Sequence, residues 1–295
     1  YFAVSLSDTI LSRADGYTFF NVLGGQMRTI NKLEAVHIDE WAKISANAYP
    51  GMKINSAAEM TQLKERIEKE LTQTDVHACG LFEDEVLLGL MRLFDFTMNL
   101  HGSDVLVGGL GSVAVDLVHK KKKVARDMVA YFLAHYQERE ACLTALYPFR
   151  PDFYKKMGFG FSTPVTHYAI APASFPKGVK EHISFLDASD MEAVKACYGR
   201  FRAQTHGMMT FPERVWQWWF EDVALRMVGY KVDGVVRGYL MFKFEPVPGG
   251  NFLANDMVVQ SLVYESTAVR AELMAFLHTQ ADQINRVILT LQDHN

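Results

Sequence analysis

The 295-residue sequence has only three cysteines, Cys79, Cys142 and Cys197, widely spaced and without a CxxC pair. That excludes a disulfide framework and a thiolate metal cluster, and suits reduced thiols in the cytoplasm. No apolar run reaches the length that spans a bilayer, so no membrane partner is expected. The formal net charge of −4 leaves no basic footprint for nucleic acid. Residues 1–26 lack the charged-then-apolar layout of a signal peptide and are read as an unassigned leader, or as a segment from elsewhere in a longer protein. With 49% apolar and 22% charged residues the rest is ordinary globular composition, and its length suggests two domains.

Periodicity then gives an order of elements. Met27 opens a strand over residues 27–33. Two amphipathic helices follow over 38–48 and 57–72, the first stopped by Pro50-Gly51 and the second carrying Met60, Leu63, Ile67 and Leu71 on one face. Strands over 76–82 and 86–98 make a hairpin through Glu83-Asp84-Glu85.

Next comes Gly108-Gly-Leu-Gly-Ser-Val-Ala-Val-Asp116, a strand that runs through a polar connection into Lys120–Lys123 and a helix reaching about Arg139. A helix that starts in a basic turn offers unpaired N–H groups and the positive end of its dipole, a natural anion site. The bland alternative is a solvated basic turn on an ordinary amphipathic helix. A strand over 142–148 and a Pro-started helix over 151–159, closed by Gly158, complete the unit.

These motifs resemble those of the GNAT N-acetyltransferase superfamily over residues 27–170. The family's pyrophosphate loop reads Arg/Gln-x-x-Gly-x-Gly/Ala. Lys120 takes its first place, Lys123 the central Gly place and Ala125 the final small one, with Lys123 expected in a helical conformation. The later Phe-Tyr-x-x-x-Gly-Phe signature matches Phe153 to Phe159.

The resemblance implies acetyl-CoA as cosubstrate and no metal. Its pyrophosphate would lie on Lys121, Lys122, Lys123, Val124, Ala125 and Arg126, and its pantetheine arm beside Val113, Ala114 and Val115, with Phe149 also in contact. Tyr154 would protonate the departing thiolate and the Val115 N–H would polarise the thioester carbonyl. For the acceptor amine Tyr49, Trp41 and Asp95 are the candidates, while Gly51 stands near where an acid would be expected. His119 is read as loop structure.

A Pro-rich stretch over 171–180 is read as the linker to a second unit over 181–295. There the order recurs: a helix over 190–204 capped by Ser189, a short helix with Trp216, Trp218 and Trp219, and a hairpin turning at Asp233-Gly234. A strand over 252–262, a helix over 268–282 and a strand over 286–291 follow. After Val263 there is no basic turn, so this unit reads as degenerate. The expected fold class is α/β (α+β): two tandem GNAT folds, each a mixed, mostly antiparallel sheet flanked by helices.

The tandem resembles the Eis-like acetyltransferases, which acetylate primary amines, including aminoglycosides, polyamines and lysine side chains. Their assemblies imply a homo-oligomer. Such proteins usually continue into a third domain resembling sterol carrier proteins, whose terminal carboxylate helps deprotonate the amine. This sequence runs to Asn295 after the last strand of the second unit, so the general base stays unassigned. The other reading is a non-catalytic module of the same fold that holds CoA, a lipid or a protein partner.

Overall fold

The structure is a computed structural model that describes residues 2–5, 28–250 and 253–292. Residues 6–26 lie outside the described residues, as do Met27 and Phe252, expected to open strands. Contacts divide the chain into unit 1, Tyr1–Met98 with Asp104–Ser162, and unit 2, Asn99–Ser103 with Thr163–Asn295.

Unit 1 runs β1 (Phe2–Ser5), β2 (Arg28–Lys32), α1 (Ile38–Ala48), α2 (Ala57–Leu71), β3 (Val76–Glu83), β4 (Val86–Leu100), β5 (Ser103–Val115), α3 (Val124–Glu138), β6 (Leu143–Leu146), α4 (Pro151–Lys155) and β7 (Gly160–Phe161). Its seven strands lie in the order β2-β3-β4-β5-β6-β1-β7. Ser56 caps α2 by accepting from the Glu59 N–H, and Glu59 returns a carboxylate oxygen to the Ser56 hydroxyl. Pro50–Met52 form a short 3-10 turn that ends α1 and leaves Lys53 left-handed at φ 52°. The β3–β4 turn is left-handed at both Asp84 and Glu85, the twist a two-residue hairpin loop needs.

Helices cover both faces of this sheet. Trp41, Ile44, Leu63 and Ile67 of α1 and α2 bury against Leu87 and Leu90 on one face. Met128, Val129, Phe132 and Tyr136 of α3 bury against Leu88, Met91 and Leu93 on the other. Helical spacing sets the face of each helix residue, and a register shift in the β3–β4 pairing between Leu81 and Phe82 breaks the alternation of β4, so that Leu87 and Leu90 share one face and Leu88 and Met91 the other.

Two expectations about the first unit change here. The stretch given no element supplies β1, which pairs antiparallel with β6 and with β7 and so fills the place between them. Residues 163–170, expected to close the first unit, instead carry β8 (Thr166–Ile170), which pairs antiparallel with the last strand of the second sheet. The units therefore divide after Ser162 rather than within the Pro-rich stretch.

Unit 2 continues with β9 (Ile183–Phe185), α5 (Met191–Gln204), α6 (Glu213–Glu221), β10 (Arg226–Val232), β11 (Val235–Pro246), β12 (Asn255–Tyr264), α7 (Thr267–His278) and β13 (Ile284–Leu291). Its sheet order is β8-β13-β12-β11-β10-β9. The β10–β11 turn is left-handed at Asp233 and Gly234, as the Asp-Gly pair requires. Asp187, not Ser189, caps the 3-10 turn Ala188–Asp190 that leads into α5: Asp187 accepts from the Ser189 N–H, and Asp190 returns a carboxylate oxygen to the Asp187 N–H, while no side chain caps α5 itself. The Ser189 hydroxyl donates to the same Asp187 carboxylate oxygen at 2.6 Å, which holds it in that turn rather than at the start of α5. Trp216 and Trp219 pack with Tyr198 and Phe211 in a core of this unit, whereas Trp218 is exposed beside Lys243.

Candidate active site

The glycines of β5 are there for aromatic rings. A Cβ at Gly108 would meet the Tyr136 ring at 2.4 Å, at Gly109 the Phe96 ring at 2.3 Å, and at Gly111 the Phe94 ring at 2.8 Å. Bare backbone lets those rings lie against the strand and flank the segment that follows. That segment is open: β5 pairs parallel with β6 from Val107↔Leu143 to Leu110↔Leu146, and there the pairing stops. Residues 111–115 continue with no β6 partner. Ser112 is left-handed at φ 50°, which twists the strand at the point of divergence.

A cleft of about 690 Å³ lies at this opening, entirely within unit 1. Ser45, Tyr49, Gly51 and Leu63 line it from the α1–α2 side, Arg92 from β4, Ser112 and Val113 from β5, and Tyr147, Phe149 and Tyr154 from the β6–α4 side. The Tyr49 hydroxyl donates to the Val113 carbonyl at 2.8 Å, which ties the α1 end to the open strand. Burial pushes the Tyr49 phenol up, and the nearby Arg92 partly offsets that shift.

Tyr154 is only 3% exposed and sits edge-on to Phe149, Phe153 and Phe159, with ring centroids 6.0, 5.1 and 5.9 Å away. Its phenol is pushed up to about 12, by burial first and then by Tyr49. A phenol so shifted stays protonated at any pH near neutral. It can donate a proton but does not start as a base.

The basic turn follows β5 directly. The Asp116 carboxylate accepts from the Val118 N–H at 3.0 Å, starting a 3-10 turn over Leu117–His119. Lys121 is then left-handed at φ 68°, and Lys123 at φ 63°, ψ 11°. This corrects the expectation that Lys123 is helical. The central place of the loop is a left-handed one, where an L side chain costs roughly 1–2 kcal/mol and glycine does not.

Lys120, Lys121, Lys122 and Lys123 are all exposed, and no side chain caps α3. Its first N–H groups thus lack the usual internal partner. Arg28 braces the turn: it donates to the Lys122 carbonyl at 3.0 Å and pairs with Asp127 and with Glu83 at 2.8 Å each.

Of the residues predicted for the site, the structure brings Tyr49, Val113, Phe149 and Tyr154 together at the cleft. Trp41 is fully buried beneath Arg92 and is not among the lining residues. Asp95 is not either: it is held by Arg139, Tyr136 and His77, and the Arg139 guanidinium and these hydrogen bonds overcome burial to keep its carboxyl well below the usual range. Ala114 is buried in the core under α1 and α2, and the Val115 side chain packs against the α3 core. The loop residues Lys120 to Arg126 stand at the start of α3, outside the lining of the cleft.

Sequence reasoning missed Ser45, Arg92 and Ser112. Arg92 did carry a signal, as a lone charge in the apolar run from Leu87 to Leu93. Ser45 and Ser112 carried none. Among the described residues no group of three His, Cys, Asp or Glu could hold a metal, and no helix is long and apolar enough to cross a membrane.

Two family matches fit this architecture. The acetyltransferase (GNAT) domain family matches residues 29–162, and a second acetyltransferase (GNAT) domain family matches residues 207–295. No curated protein matches the sequence. Among solved structures, a GCN5-related N-acetyltransferase from Anabaena variabilis aligns over 90% of this chain and 66% of its own, with 14% identity and a TM-score of 0.75. A protein from Enterococcus faecalis described as a probable N-acyltransferase aligns over 90% and 65%, with 17% identity and a TM-score of 0.71. Eis1 from Mycobacterium abscessus aligns over 89% and 65%, with 18% identity and a TM-score of 0.68. At such identities the likeness is one of fold, and the chain spans just under two thirds of the length of these proteins. With one acetyltransferase domain in each unit, the chain belongs to the GNAT acetyltransferase family.

Proposed function

We propose that unit 1 transfers an acetyl group from acetyl-CoA to a primary amine by direct attack in a ternary complex. The observation that carries this reading is the open segment 111–115 beside a buried, proton-bearing Tyr154, followed by an uncapped helix start in a basic turn. Strand groups without a β6 partner suit the amides of a pantetheine arm, although the Val113 carbonyl already accepts from Tyr49. The α3 N-terminus with Lys120 to Lys123 suits a pyrophosphate, through backbone N–H groups and positive charge together.

The chemistry balances within this site. A neutral amine nitrogen attacks the thioester carbonyl carbon, and an N–H of the open segment stabilises the oxygen as it gains charge. Val115, assigned that role from the sequence, is one of the five residues of this segment. When the C–S bond breaks, the Tyr154 phenol gives its proton to the sulfur, and the proton released by the amine restores the phenol through solvent. Holding both reactants in one cleft supplies a large part of the rate.

The test is release of the CoA thiol from acetyl-CoA, measured with and without primary amines including an aminoglycoside, spermidine and free lysine. Amine-dependent release with matching formation of an acetylated amine is the expected result. Tight acetyl-CoA binding with no amine-dependent release would instead identify a non-catalytic module.

A further inference from the structure

The acceptor side of the cleft carries a cation and no described acid. Among the described lining residues none is Asp or Glu, and Arg92 is the charged one. Arg92 stands on β4 opposite Ala78, on the face that α1 and α2 cover, with its guanidinium 5.4 Å from the centre of the Trp41 ring. Its Nε donates to Glu70, and its two terminal nitrogens have no partner among the described residues.

A guanidinium fixed at one edge by a carboxylate and on one face by an indole is preorganised. Its remaining donors point as a pair, in the geometry that suits another carboxylate. Ser45 adds a second, independent sign. Its side chain is 4% exposed and lines the same cleft, and its hydroxyl has no hydrogen-bond partner. Buried hydroxyls are nearly always satisfied, so an unsatisfied one on a cleft wall is free to bond a water or a ligand atom.

We infer that the acceptor is an amino-carboxylate, whose carboxylate is held by Arg92 with Ser45 while its amine meets the thioester beside Tyr154. This rests on the acyl-transfer reading above and narrows it. A polycation would bring like charge to Arg92 with no acid on the described wall to receive it. A phosphate would bring a second negative charge, and the wall has one guanidinium to meet it. A carboxylate matches in charge and in shape.

The experiment compares γ-aminobutyrate, ε-aminocaproate and lysine with their primary amides and with spermidine, using wild type, Arg92→Gln, Arg92→Lys and Ser45→Ala. The best amino-carboxylate should exceed its own amide in kcat/KM by about 10- to 100-fold, mostly through KM, as expected for hydrogen bonds to a charged group. Arg92→Gln should bring that ratio to within about twofold, with Arg92→Lys intermediate because it keeps the charge and loses the fork. Ser45→Ala should lower the ratio several-fold. Should loss of the Glu70 partner unfold Arg92→Gln, as circular dichroism would reveal, the other two variants carry the test.

Amides or spermidine used as well as the amino-carboxylates, or a ratio unmoved by substitution of Arg92, would overturn the inference. Calorimetric binding of the same ligands to the CoA-saturated protein separates it from the acyl-transfer reading. Amino-carboxylate binding that weakens in the Arg92 variants, without turnover, would uphold the pocket and sink the transfer. No binding of any amino-carboxylate would sink the pocket, whatever acetyl-CoA does.

Discussion

Helices α3 and α7 occupy matching places in the two units, each after a long strand whose parallel partner lets go early. In unit 1 the β5–β6 pairing ends at Leu110↔Leu146, and in unit 2 the β12–β13 pairing ends at Val258↔Ile288 although β12 runs on to Tyr264. The strands open in both, and the helix starts differ. Ser266 caps α7 by accepting from the Val269 N–H at 3.3 Å, and Glu265 in front of it pairs with Arg200 at 2.7 Å and Arg237 at 3.3 Å. At α3 no side chain caps the helix, and four exposed lysines precede it. A start whose serine already takes the Val269 N–H, and which a carboxylate fronts, has less to offer a phosphate. An uncapped start in a basic turn keeps its donors for a ligand. On the proposed function, the same fold twice offers one anion site, and the difference lies in the residues at each helix start.

The largest effect expected on this contrast is chemical. Tyr154→Phe should lower turnover by roughly 100- to 10,000-fold with little change in acetyl-CoA affinity, because it removes a proton donor and keeps the ring packing. Turnover equal to wild type would show that Tyr154 is not the proton donor. The raised phenol adds a pH signature. Only the protonated form works, and it persists up to about 12, so kcat/KM should climb as the amine deprotonates and show no Tyr154-dependent fall below about pH 10.

Next in size is charge reversal of the turn. Lys121→Glu with Lys123→Glu should weaken acetyl-CoA binding by about 10- to 100-fold, as measured by calorimetry. Unchanged affinity would place the pyrophosphate elsewhere. Smaller is the cap of unit 2: Ser266→Ala should cost about 1 kcal/mol in denaturant unfolding without touching acetyl-CoA affinity. Smallest is Lys123→Gly. Relief of a left-handed side chain, roughly 1–2 kcal/mol, is largely offset by the flexibility glycine adds to the unfolded chain, so the net gain should stay below about 1 kcal/mol.

Most of the element order was legible in the sequence because it rests on local signals. The spacing of Trp41, Ile44, Leu63 and Ile67, the Asp233-Gly234 turn and the Pro151 helix start each act over a few residues, and each forms as read. What was not legible depends on distant partners. Phe2–Ser5 becomes a strand only because β6 and β7 leave a place between them. Thr166–Ile170 joins the second sheet because β13 is its partner, a pairing more than a hundred residues away in the chain.

The candidate site divides the same way. Tyr49, Val113, Phe149 and Tyr154 could be placed through contiguous motifs, and they meet at the cleft. Trp41 and Asp95 have the right chemistry, but one is sealed under Arg92 and the other is held by Arg139 and Tyr136. Arg92 and Ser45 reach the cleft from separate elements and share no motif. The conformation of Lys123 is likewise set by the 3-10 turn before it and the brace from Arg28, neither of which a six-residue pattern reveals.

The central claim is that one of two like helix starts binds the coenzyme. Calorimetric titration of the chain with acetyl-CoA tests it most directly. The account predicts a single site per chain, lost or strongly weakened by Lys121→Glu with Lys123→Glu and unaffected by Ser266→Ala. Two equivalent sites, or one site indifferent to the lysines, would contradict it.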